Sequence, residues 1–146
     1  MYNKTKIALL VTTIILATSI LLSACGPSST NPDGSVNVDV TLTDFKIESS
    51  LDTFEVGVPY HFIITNEGED EHELMIMEPM MAGTEMSMEE MDKMALAVVE
   101  EDDLPPGATY TLDYTFTKPA PAGSLEFSCH IQGHYEAGML LPITVK

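Results

Sequence analysis

The chain has 146 residues, with 23 Asp and Glu against six Lys, and a formal net charge of −17. Phosphate contacts need Lys and Arg, so this balance argues against nucleic acid as a partner. It leaves open an acidic surface that steers a basic partner, or one that simply keeps the protein soluble in salt. The length suits one domain with a real hydrophobic core.

Lys4 and Lys6 precede an uncharged apolar run from Ile7 to Leu22. The run is shorter than the ~20 residues that a spanning helix needs. Leu22-Ser23-Ala24-Cys25 then resembles the cleavage box of bacterial lipoproteins, in which the cysteine is lipidated and becomes the first residue. The expectation is a signal peptide at 1–24 and a lipid on Cys25, so that the protein is extracytoplasmic and anchored to the cell membrane. Residues 25–35 are rich in Gly, Pro, Ser and Asn and read as a flexible tether. Lipidation of Cys25 leaves Cys129 as the one free thiol. Outside the cytoplasm such a thiol is an oxidation hazard unless it has work to do, and metal ligation is work that needs the thiolate.

Residues 36–146 form the expected folded domain, and they read as β. Val36 to Thr43 alternates, apolar at even positions, as a half-buried strand does. Phe45, Ile47 and Leu51 continue into a second strand or bend. Phe54-Glu55-Val56 leads into a turn at Gly57-Val58-Pro59. Tyr60 to Thr65 is a dense run of β-formers ended by Asn66-Glu67-Gly68. Leu74 to Met77 is a short strand stopped before Pro79. In Thr109 to Phe116, Tyr110, Leu112, Tyr114 and Phe116 share one face. Pro119 to Gly123 reads as a loop. Leu125, Phe127 and Cys129 share a face of the next strand, and Leu140 to Val145 closes the domain. Short strands separated by turn signals predict an all-β Greek-key sandwich.

Glu78 to Asp103 departs from this pattern. It is rich in Met and acid, and Ser87-Met88-Glu89-Glu90 matches a capping box. Met88, Met91, Ala95 and Val98 fall at helical spacing, which predicts a helix of about three turns inserted between strands. The Met stripe either packs the helix on the sandwich, since Met fills irregular gaps, or gathers thioethers that receive Cu(I). Leu104-Pro105-Pro106-Gly107 ends the insert as a rigid turn.

The chemistry lies in the segment from Cys129 to Met139. Cys129, His134 and Met139 offer a thiolate, an imidazole and a thioether at Cys-x4-His-x4-Met spacing. With one more histidine they are the donor set of a trigonal His2Cys copper site with a weak axial Met. Asn66-Glu67-Gly68 followed by His72 resembles the strand end that supplies the first ligand in the cupredoxin, or blue copper, family. The spacing after Cys129 is similar to that of rusticyanin and auracyanin. The resemblance, with Thr43-Asp44-Phe45 included, runs from about Val36 to Lys146. It implies one type 1 copper ion held by His72, Cys129, His134 and Met139. It also implies that electrons pass through His134, near the surface beside Tyr135, Ala137 and Gly138. His61, mid-strand, is expected to be structural or at the surface.

In plastocyanins and azurins the residue after the first His bonds the residue after the Cys. Here those positions hold Glu73 and His130, and a carboxylate–imidazole bridge is expected to clamp the two loops and to favour protonated His130. His130 after Cys129 also resembles the copper loop of multicopper oxidases, but the chain has four histidines and no His-x-His pair, so no trinuclear cluster and no oxidase activity are expected. The resulting expectation is a monomeric, non-enzymatic, lipid-tethered blue copper protein. It would carry single electrons between redox proteins such as a cytochrome or an oxidase. The alternative is a protein that binds and passes on Cu(I) through its Met-rich segment.

Overall fold

The computed structural model describes residues 30–81 and 86–146. The expected signal peptide, Cys25 and most of the tether lie outside them. Two sheets face each other. One holds β1 (Val36–Thr43), β2 (Lys46–Ser49), β4 (Pro59–Asn66) and β7 (Thr109–Thr115) in the order β2-β1-β4-β7. The other holds β3 (Thr53–Phe54), β5 (Leu74–Met77), β6 (Ala97–Val99), β8 (Ala120–Ser128) and β9 (Leu140–Val145) in the order β3-β9-β8-β5-β6. This is the predicted all-β sandwich.

Strand alternation builds the core. Val38, Val40 and Leu42 of β1 and Tyr60, Phe62 and Ile64 of β4 point inward from one sheet; Leu74, Ile76, Leu125, Phe127 and Ile143 come from the other. The pairing of β1 with β4 is parallel, with Leu42 opposite Asn66. That register sets the β1–β2 turn beside the Asn66–His72 segment, and the main-chain N–H of Glu67 bonds Leu42 O at 2.8 Å.

The insert differs from its expected form. The helix, α1, spans Met88–Met94, about two turns, with the Glu90 carboxylate accepting from Ser87 N–H at 3.0 Å. It stops at Ala95, whose ψ of 144° is extended. Val98 belongs to β6, which pairs antiparallel with β5. Helical spacing ran on by chance into a segment whose β-branched Val98 and Val99 suit a strand better. Most of the expected loop from Pro119 to Gly123 is also strand, since β8 begins at Ala120 and carries an irregularity before Leu125. All four residues of β5 are buried: Leu74 and Ile76 inside the sandwich, Met75 and Met77 on the outer face under the insert. Met75, Met77 and Met91 form a second cluster, flanked by Met80, Met86, Ala95 and Val98.

Candidate metal centre

At one end of the sandwich three segments meet. His72 ends the loop between β4 and β5. Asn66, fully buried, organises that loop: its Nδ2 donates to Asp70 O and Leu104 O, both at 2.8 Å, and its Oδ1 accepts from Gly68 N–H at 2.9 Å. Cys129 follows β8, and His134 and Met139 lie on the loop to β9. Main-chain bonds fold that loop back on itself, Met139 N–H to His134 O at 3.0 Å and Cys129 N–H to Met139 O at 3.1 Å. Gly138, at φ 97°, supplies the reversal that a side chain would resist.

His72, Cys129 and His134 are brought together from 57 and 62 positions apart. His72 Nδ1 lies 3.3 Å from His134 Nδ1, and Cys129 Sγ lies 3.4 Å from the same His134 atom. All three are buried. Metal bonds of about 2.0 Å to nitrogen and 2.3 Å to sulfur hold neighbouring donors about 3.3–3.7 Å apart at tetrahedral to trigonal angles. The cluster therefore fits one type 1 copper ion. Met139 is fully buried and packs in the main core with Cys129.

Burial prepares these groups for a cation. It pushes the Cys129 thiol up to about 11, so the thiolate forms when a metal displaces the proton. Burial, helped by the neighbouring His134, lowers the His72 pKa, and Asp44 opposes the shift. His72 therefore stands neutral with a lone pair to give.

The clamp between the two loops takes a form other than the one expected. The Glu73 carboxylate accepts from the main-chain N–H of His130, not from its ring. The His130 imidazole turns to Ser128 Oγ at 2.9 Å and stacks on Tyr135, with centroids 4.4 Å apart. Burial lowers the pKa of His130 rather than raising it, and pushes Glu73 up to about 7. An imidazole taken out of water prefers to be neutral, so the expected protonated His130 is corrected. His61 lies apart, paired with Asp113 at 2.6 Å on an exposed strand face.

Other residues of the site were not singled out for roles there. Asp44 Oδ1 lies 3.5 Å from His72 Nε2, and the Phe45 ring meets His134 edge-on at 5.5 Å. His134 is 8% exposed, so the surface at this end belongs to Phe45, which is 48% exposed. Glu126 is buried and accepts from Tyr135 OH at 2.7 Å. Phe at a hairpin turn, and Glu between Leu125 and Phe127, were the only available signals.

No family model matches the chain. The chain is 28% identical over 153 aligned residues to the copper-resistant cuproprotein CopI of Pseudomonas aeruginosa, covering 84% of this chain and 83% of that one. Reduced auracyanin from Roseiflexus castenholzii superposes with a TM-score of 0.57 at 17% identity, over 82% of this chain and 99% of that one. Rusticyanin from Thiobacillus ferrooxidans does so with 0.56 at 18% identity, over 77% of each. The chain has the cupredoxin fold. The cupredoxin sandwich explains why the donors sit where they do, since its strand ends bring the β4–β5 and β8–β9 loops together. Among the described residues no helix is long and apolar enough to cross a membrane.

Proposed function

We propose that this cupredoxin-fold protein is a single-copper electron carrier working outside the cytoplasm, tethered through a lipid on Cys25. His72, Cys129, His134 and Met139 would hold the ion. One observation carries the reading: at a buried end of the sandwich the His134 Nδ1 atom lies 3.3 Å from the other imidazole nitrogen and 3.4 Å from the thiol, and all three donors lie within 4.8 Å of one another. Bound there, copper would supply a one-electron couple. The chain's own residues bury the donors, hold the His72 imidazole neutral and fix both loops to sheet ends, so that a change of charge meets little rearrangement. Glu73 ties the His130 amide and thus keeps the Cys129 end of β8 in register with His72. The partner is a redox protein such as a cytochrome or an oxidase. Adding Cu(II) should give an intense visible thiolate-to-metal band that Cys129→Ser abolishes. Copper binding without that colour would end the carrier reading.

A second reading is supported by the methionine cluster under α1 and by the similarity to CopI, a copper-resistant cuproprotein. In it the protein takes up Cu(I) outside the cytoplasm. Thioethers suit Cu(I), and a stoichiometry above one Cu(I) per chain, lowered by Met77→Leu with Met91→Leu, would favour this role.

A further inference from the structure

The hairpin turn between β1 and β2 has only two residues, and both lie against the histidines. Thr43 pairs with Lys46, so Asp44 and Phe45 alone make the reversal. Phe45 has φ 64°, the one positive value at a non-glycine position among the described residues. Such a turn position suits Gly or Asn, and a bulky side chain there is strained. Burial does not explain the Phe, since about half of it stays exposed (48%). Its contact does: the ring stands edge-on to His134, 84° between planes.

Asp44 occupies the matching place on the other histidine. Its Oδ1 accepts from the N–H groups of Glu69 at 3.0 Å and Asp70 at 3.4 Å, which fixes the carboxylate over the β4–β5 loop. The space between it and His72 is kept free of any side chain. A Cβ on Gly68 would lie 2.5 Å from Asp44 Oδ1 and 2.7 Å from His72 Nε2. His72 Nε2 is fully buried and has no hydrogen-bond partner. At 3.5 Å Asp44 Oδ1 stands just beyond hydrogen-bond range, as a charge facing that atom. An imidazole that gives its Nδ1 lone pair to a cation carries its proton on Nε2, and a carboxylate beside Nε2 favours that tautomer.

We infer that the Asp44–Phe45 turn is a positioning device for both histidines of the metal centre: Asp44 holds the His72 proton on Nε2 and leaves Nδ1 free, while Phe45 fixes the plane of His134 and shields it from water. Its purpose rests on the single-copper reading above, but its geometry is present without metal. Strain at Phe45 is retained because Gly, which would relax the turn, brings no ring.

Nitrogen-15 NMR of the metal-free protein tests the Asp44 half. His72 should be in the Nε2–H form in the wild type and become a tautomer mixture in Asp44→Ala. Asp44→Asn, which keeps an acceptor for the two amides but removes the charge facing Nε2, should give a mixture as well. Phe45→Gly tests the other half. The unfolding midpoint of the metal-free protein should stay level or rise, while the His134 ring loses order and copper release to a chelator quickens roughly tenfold or more. An unchanged tautomer in Asp44→Ala, or unchanged His134 order and copper release in Phe45→Gly, overturns the inference. Should the wild type bind no copper, the carrier reading falls, and the His72 tautomer and His134 ring order still decide this one.

Discussion

The two buried clusters are built from different materials. The main core is shaped by rings: Phe54, Tyr60, Phe62, Phe116 and Phe127 meet edge-on or tilted, with centroids 5.0–6.1 Å apart. The cluster under α1 is methionine: Met75, Met77 and Met91. Rings in edge-to-face contact have few alternative packings, whereas Met has three rotatable bonds and fits many. The metal centre grows from the ring side, since Phe127 lies two residues before Cys129 on β8. A site that must hold its donors to a fraction of an ångström is thus carried by the stiffer cluster, and the adaptable one supports the insert.

Breaking the ring side should have the largest effect. Phe127→Ala removes a fully buried ring that touches Phe54 and Phe62. It should cost about 3–5 kcal/mol in denaturant unfolding and weaken copper retention as well. Gly68→Ala comes next. Its new Cβ meets Asp44 and His72 at under 3 Å, and copper affinity should fall roughly 10–100-fold by chelator competition, with most of the fold intact by circular dichroism.

The boundary between the clusters should show itself in pH. Glu73 lies between His72 and β5, and after burial its upward shift owes most to the carboxylates of Asp92 on α1, Glu100 and Glu101, against the downward pull of the His130 amide. Its folded pKa of about 7 exceeds its ordinary 4.5, so its contribution is fully present below 4.5 and is lost as pH rises through about 7. His72 and His130, lowered by burial, act the other way, losing stability as pH falls below their ordinary 6.5. Between about pH 5 and about pH 8 the metal-free wild type should therefore lose more stability than Glu73→Gln does. Equal losses would remove Glu73 from the account. Copper uptake should also release the Cys129 proton, so that apparent affinity changes about tenfold per pH unit below about 11, before other groups titrate. The smallest effect belongs to the methionine side. Met91→Leu should cost under about 1.5 kcal/mol and leave the visible spectrum unchanged. A larger loss would mean that this cluster is as shape-specific as the rings.

These contrasts also explain what was legible beforehand. Alternation in Val36–Thr43 and Tyr60–Thr65 reports a face directly, and β1 and β4 follow it. Cys129, His134 and Met139 stand close in sequence, so their spacing carries chemical meaning before any fold is known. Helical spacing misled from Ala95 to Val98 because a few residues can satisfy two periods, and only pairing with β5 decides between them. Asp44 and Phe45 stood within the resemblance, but their roles at the histidines were hidden for another reason. Their nearness to His72 and His134 comes from the parallel β1–β4 register, which no local pattern encodes. Glu73 and His130 were recognisable as a pair, but the choice of main chain over imidazole depends on Tyr135 stacking on the ring.

The bond from Cys129 N–H to Met139 O closes the ligand loop at its base, where β8 and β9 already pair Ser128 with Leu140. Everything between those two strand ends hangs from a pinned neck. A change in the length of that segment need not shift the sheet register, because the neck is held by ladder bonds that do not count the residues above it. Heritable variation in this protein can thus retune how the metal is held by exchanging one cassette, while the folding of the other strands proceeds unaltered.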